Sequence, residues 1–310
     1  MSSANQVENA ADPEDRGAAE WYLQARSDAP RFSTVVVNQA DIRYRFWGEA
    51  APDRPNLVLV HGGAAQSAWW DHIGPLLAND RRVAALDLSG HGDSQRRAGY
   101  DLRTWAEEIM AVSDATAPGS RPTLVAHSMG GAPALCAASA FASRISGLIL
   151  IDPLPHDVTS AETHARTSAK FGRQKVHPTR SAAVQRFRIV PEQRTLDYVF
   201  AHIADNSVQE VDGGWMWKHD PLIYRVERGG GWDPSDAVCP IAVIHPEHGL
   251  SDKTGTAVFG DKVNASQSVV IPGAAHHVMM DEPLALVTCL RTLLSGPAWS
   301  GPHGSGGPGA

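Results

Sequence analysis

The residues able to do chemistry in this 310-residue chain are gathered in a few short stretches. In TLVAHSMGGAPAL, Ser128 stands between Ala126 and Gly130, after a run apolar enough for a buried strand and before a segment rich in small residues. The spacing is a variant of G-x-S-x-G with alanine in the first glycine's place. A serine on so sharp a strand-to-helix turn takes a strained backbone and presents its hydroxyl at the sheet edge, while small neighbours let the helix come close. A serine that only caps the helix is the structural alternative. A serine hydroxyl becomes a useful nucleophile when an imidazole takes its proton. PGAAHHVMMDEP, after the last apolar run, offers His276 for that task and leaves the adjacent His277 to packing. A His276–His277 metal site is the other reading, but no acidic or cysteine ligand set has convincing spacing, the HPEH run included, so no metal and no cofactor is expected. VLVHGGAAQSAWW puts His61, Gly62 and Gly63 just after another strand-like run, where a backbone N–H can face the serine. DLSGHGDS reads as a tight turn in which Asp87 and Asp93 are structural.

The elements that must position these residues follow from the apolar pattern. STVVVNQADIRYRFW (33–47) predicts an antiparallel hairpin at a sheet edge. The runs NLVLV (56–60), RVAALDL (82–88), TLVAH (123–127), GLILID (147–152), IAVIH (241–245) and SVVI (268–271) alternate with helix-like segments near 67–78, 101–116, 129–142 and 282–295. Strands apolar on both faces and separated by helices predict an α/β fold with a mostly parallel sheet covered on both sides. Between Asp152 and Pro240 no convincing core strand occurs. A loop of that length is improbable in a compact domain, so residues 153–235 are assigned to a folded insertion, a helical lid. The expected core is then 32–152 with 236–296, preceded by a flexible segment 1–31 and followed by a disordered Gly/Pro-rich tail 297–310.

Composition narrows the partners. The net charge of −7 is spread along the chain, which disfavours nucleic acid and anionic membranes, and favours a small neutral or apolar ligand. Cys136, Cys239 and Cys289 lack C-x-x-C spacing and are read as reduced. No secretory signal or membrane-spanning stretch is evident, so a cytoplasmic location is expected, with the oligomeric state left open.

Taken in order, HGG, DLSGHGDS, AHSMGG and GAAHH resemble the α/β-hydrolase superfamily over nearly all of residues 33–295. The resemblance implies an eight-stranded, mostly parallel sheet flanked by helices and capped by a lid. It also implies Ser128 as nucleophile, His276 as general base, and the backbone N–H groups of Gly63 and Met129 as oxyanion hole. The acid departs from the pattern. The usual aspartate position, in HPEHGL, holds Gly249. Asp152, one strand earlier, is the favoured substitute and is similar in placement to the acid of haloalkane dehalogenases and zearalenone-type lactonases; Glu247 and Asp252 are the alternatives. Trp215, Trp217 and Trp232 are expected to line the entrance of a large apolar pocket, with Trp69 and Trp70 beneath; Lys218, His219 and Asp220 are read as a solvated turn, with polar selectivity in the pocket as the alternative. The expected function is hydrolysis of a hydrophobic carboxylic ester or lactone through an acyl-enzyme on Ser128. Rival readings are a small-molecule-binding protein on the same scaffold, and a C–C bond hydrolase or acyltransferase using the same residues.

Overall fold

The computed structural model describes residues 17–51, 54–153, 174–251, 257–258, 263–296 and 299. Strands β1 (Arg31–Val37), β2 (Ala40–Trp47), β3 (Leu57–Val60), β4 (Val83–Leu86), β5 (Thr123–His127) and β6 (Gly147–Ile151) belong to one sheet with β9 (Ile241–His248) and β12 (Gln267–Ala275), while β10 (Ala257–Val258) and β11 (Val263–Asn264) pair apart from it. Its order is β1-β2-β4-β3-β5-β6-β9-β12. β2 runs antiparallel to both its neighbours, and from β4 to β12 every pairing is parallel. The edge hairpin turns at Asn38 and Gln39, both with positive φ.

Alternate residues of the central strands feed two cores. Val58, Val60, Ala84, Leu86 and Leu124 pack under helices α3 (Leu102–Thr116) and α4 (Gly131–Ala140). Leu57, Leu59, Val83, Ala85 and Val125 face the short α2 (Gly74–Leu77) and the C-terminal helices. This two-sided burial is why the strands read as continuous apolar runs. Each valine or leucine so buried contributes about 1.5–3 kcal/mol. Asp101 caps α3 by accepting from the Thr104 N–H at 2.8 Å. Small residues throughout α4 let it lie flat on the sheet behind Ser128.

Between β6 and β9 the described part of the insertion contains α5 (Arg180–Gln185), α6 (Asp197–Asn206) and an antiparallel hairpin of β7 (Val208–Val211) with β8 (Gly214–Trp217). The expectation of a helical lid is corrected by that hairpin. Asp212-Gly213, with Gly213 at φ 85°, is a turn that the helical reading passed over. A buried hydrogen bond docks α6 on the core: Asp71, paired with Arg45 at 2.7 Å, lies 2.8 Å from His202 Nε2. Burial alone would raise the Asp71 pKa, but Arg45 and His202 outweigh it and lower it.

Two terminal expectations also change. Residues 20–27, placed in the flexible segment, form helix α1 (Glu20–Ser27), whose Tyr22 is buried against Tyr198 of α6 with ring centroids 4.7 Å apart. Trp299, placed in the disordered tail, is buried over Gly147, where a Cβ would overlap its ring. No helix among the described residues is long and apolar enough to cross a membrane.

Candidate active site

β5 ends at His127, and Ser128 begins a 3₁₀ turn that runs into α4. Ser128 has φ 53°, a left-handed conformation that costs a residue with a Cβ about 1–2 kcal/mol. The turn closes because Gly130 lies so near the His61 carbonyl that any side chain would overlap it. Ala64 and Asp152, with φ 56° and 42°, carry the same strain. Backbone strain of this kind collects where a structure over-determines geometry for use.

The strained turns bring three sequence-predicted residues together. Ser128 Oγ lies 2.9 Å from His276 Nε2, and His276 Nδ1 lies 2.6 Å from Asp152 Oδ2; all three side chains are buried. In this chain of contacts Nδ1–H donates to the carboxylate, which leaves Nε2 as acceptor for the serine hydroxyl. The Asp152 carboxylate also accepts from the N–H groups of Leu250 at 2.7 Å and Ser251 at 2.8 Å. Its burial would raise the pKa, but the hydrogen bonds from His276, Ser251 and Leu250 prevail and hold it at about 2.

Asp152 follows β6, and Gly249 follows the neighbouring β9. A Cβ on Gly249 would lie 2.6 Å from both carboxylate oxygens of Asp152. The glycine in the expected acid position is therefore the space that Asp152 occupies. Of the alternatives, Glu247 is exposed and accepts from the Gly273 N–H at 2.7 Å, and Asp252 lies outside the described residues.

The loop after β3 is locked in its turn. His61 donates from Nδ1 to the Gly62 carbonyl at 2.7 Å and accepts at Nε2 from the Leu88 N–H at 3.1 Å, a neutral form favoured by burial, which lowers its pKa. Gly63 packs against Met129, where an added Cβ would lie 3.4 Å from Sδ, and both residues line the cavity beside Ser128. Asp87 staples the DLSGHGDS turn by accepting from the N–H groups of Ser67 at 2.7 Å and Asp93 at 2.9 Å.

Two residues at the site escaped the sequence reading. His127 donates from Nε2 to the His276 carbonyl at 2.9 Å, propping the loop that carries the imidazole; its place beside Ser128 was the available signal. Gln193, from the insertion, accepts from the His277 N–H at 2.8 Å and returns a bond to the His277 carbonyl at 3.3 Å. Nothing in the local sequence announces that clamp.

A cavity of about 430 Å³ opens over Ser128, with Trp69, Phe187, Ile189, Trp217, Tyr224 and Leu250 among its apolar lining. Trp69 and Trp217 thus line the cavity. Trp70 is a correction: it is fully buried in the core beneath. Trp215 is another, since its backbone pairs with His177 and its ring lies near Arg180 rather than on the cavity. Trp232 packs on Arg228, 4.3 Å from its guanidinium, away from the lining. Lys218 and His219 are cavity residues rather than a solvated turn: Lys218 pairs with Asp93 at 2.7 Å, and burial pushes the His219 pKa down to about 4. Asp220 instead accepts from the Tyr100 hydroxyl at 2.9 Å.

Comparison with known proteins gives the family. The chain is similar to the esterase Rv0045c of Mycobacterium tuberculosis, at 25% identity over 286 residues, covering 89% of this chain and 94% of that protein. It is 28% identical over 252 residues to the 2-succinyl-6-hydroxy-2,4-cyclohexadiene-1-carboxylate synthase of an Enterobacter species, covering 78% of this chain and 93% of that one. Among solved structures, E-2-(acetamidomethylene)succinate hydrolase superposes with a TM-score of 0.71 at 20% identity, covering 86% of this chain and 100% of that one, a likeness of fold. The family model for the alpha/beta hydrolase fold matches residues 55–283, from the strand before the HGG loop to the first residue of the last helix, and the chain belongs to that family.

Proposed function

We propose that this protein is a serine hydrolase that cleaves the carboxylic ester or lactone of a hydrophobic small molecule through an acyl-enzyme on Ser128. The observation that carries the proposal is the unbroken run from Ser128 Oγ through His276 to the ionised Asp152, opening into a largely apolar cavity. His276 Nε2 takes the hydroxyl proton as Oγ bonds to the substrate carbonyl carbon. The carbonyl oxygen becomes an oxyanion, held by the N–H groups of Gly63 and Met129; such a donor is typically worth ~100–1,000-fold in rate. Asp152 fixes the imidazole tautomer and stabilises the imidazolium. As the tetrahedral intermediate collapses, the C–O bond to the leaving group breaks and His276 returns the proton to the departing alkoxide. Water then attacks the acyl-enzyme with His276 again as base, releasing the acid and restoring Ser128. Trp69 and Trp217 hold the apolar part of the substrate. The similarity to an esterase over most of both chains supports this class.

The test is pre-steady-state hydrolysis of p-nitrophenyl esters of increasing acyl length. A stoichiometric burst of p-nitrophenolate, with kcat/KM rising with acyl length, is expected. Binding of these esters without burst or turnover would give the place to a binding protein on a hydrolase scaffold.

A further inference from the structure

Three imidazoles meet beside Ser128. His127, His276 and His277 are all buried, and one nitrogen from each lies within 4.8 Å of the other two. The ring centroids are 4.8 Å apart for His127 and His276, 5.5 Å for His127 and His277, and 4.7 Å for His276 and His277. All three residues line the cavity. The proposed hydrolysis uses both nitrogens of His276, and His127 Nε2 is taken by the His276 carbonyl. Among the described residues, His127 Nδ1 and both ring nitrogens of His277 are buried and make no well-formed hydrogen bond. Buried polar atoms ordinarily have partners, so these three nitrogens call for a ligand.

The surroundings favour the ligating form. Both His127 and His277 are buried, an environment that disfavours the charged imidazolium. Neutral imidazole is what a metal ion binds. Gln193 holds the His277 backbone at both its N–H and its carbonyl, so the ring is anchored while its nitrogens stay unused.

We propose that His127, His276 and His277 form a binding site for a transition-metal ion of the zinc class, and that its occupancy switches the hydrolase off. Imidazole suits zinc, nickel and copper. Tetrahedral zinc takes nitrogens at ~2.0–2.1 Å, which sets them ~3.4 Å from one another, so closing the cluster takes ring shifts on the order of 1 Å. His276 enters through the Nε2 lone pair, because Nδ1 carries the hydrogen donated to Asp152, and the carboxylate then supports a metal-bound histidine as it supports the base. The Nε2–metal bond replaces the hydrogen bond from Ser128, whose hydroxyl keeps its proton. Nothing is oxidised or reduced. With the lone pair occupied, no base remains to activate the serine.

The experiment is calorimetric titration of the chelator-stripped full chain with zinc alone, run beside fluorophosphonate labelling at the same zinc concentrations. One zinc per chain, in the micromolar range or tighter, with labelling falling in step with occupancy, is expected. His277→Phe should weaken binding at least as much as the ~10–100-fold that loss of an outer-shell partner costs. Ser128→Ala keeps all three imidazoles and frees Nε2, so it should bind zinc no less tightly than the wild type. Absence of zinc binding, unchanged affinity in His277→Phe, or loss of binding in Ser128→Ala overturns the proposal. Zinc binding in a wild type that never labels would leave the metal site standing and sink the hydrolase reading instead.

Discussion

Adding one methyl group at Gly249 should disable the active site without altering any of the three residues of the relay. In alanine the new Cβ would lie 2.6 Å from both Asp152 carboxylate oxygens and 2.7 Å from Cγ, where ordinary contact begins near 3.4 Å. An overlap of about 0.8 Å must be relieved by the carboxylate or by the loop. Neither can move freely, because the Leu250 and Ser251 N–H groups bind that same carboxylate and the Gly249 N–H donates to the Pro246 carbonyl at 3.1 Å. Either shift misplaces the acceptor for His276 Nδ1. A misplacement near 1 Å typically costs ~100-fold, and replacing the acid of a serine triad by asparagine costs ~10,000-fold. Gly249→Ala should therefore label with a fluorophosphonate ~100 to 10,000-fold more slowly than wild type. Combining it with Asp152→Asn should add little further loss, because both act on one contact. The assay is the labelling rate by intact mass, with thermal unfolding alongside to establish that each variant folds. A folded Gly249→Ala protein that labels at the wild-type rate would refute the packing of Asp152 against this glycine.

Trp217→Ala should raise KM for long-chain aryl esters about tenfold, equivalent to ~1.4 kcal/mol, whereas Trp215→Ala, off the cavity, should leave KM near the wild-type value; steady-state kinetics on both variants decides. The Asp152 pKa of about 2 against an ordinary 3.8 implies stability that is fully present above 3.8 and lost as pH falls through about 2. That contribution is worth about 2 kcal/mol, and urea unfolding between pH 5 and 2 should show it in wild type and not in Asp152→Asn. Gly130→Ala places a Cβ on the His61 carbonyl and should destabilise the fold by ~1–3 kcal/mol in urea, with loss of labelling because the same turn carries Ser128.

Much of the fold was legible because the central strands are buried on both faces, which leaves short apolar runs that nothing else explains. The Ser128 and His276 stretches could be matched as partners for a related reason: each is a tight turn at the end of such a run, on the same edge of the sheet. The acid resisted, because the choice among Asp152, Glu247 and Asp252 depends on space across two adjacent strands. Only coordinates show that Gly249 is small on account of Asp152. Trp69 and Trp70 defeat the sequence for the opposite reason, since neighbours on one 3₁₀ turn face different sides and only the first reaches the cavity. Helix α1 falls in the segment that reads as flexible and Trp299 in the tail that reads as disordered, because their burial is supplied by distant residues, Tyr198 and Gly147, and not by a local pattern. The position of His127 next to Ser128 puts a third imidazole near His276, but its contact with His277 joins positions far apart in the chain and has no local pattern.

The central claim is that Ser128 is activated by His276 held by Asp152. It is tested most directly by the rate and site of fluorophosphonate labelling in wild type, Ser128→Ala and Asp152→Asn, with the adduct located by peptide mass. The account predicts a single adduct on Ser128, absent from Ser128→Ala and formed ~10,000-fold more slowly in Asp152→Asn. An adduct on another residue, or an Asp152→Asn variant as fast as wild type, would contradict it.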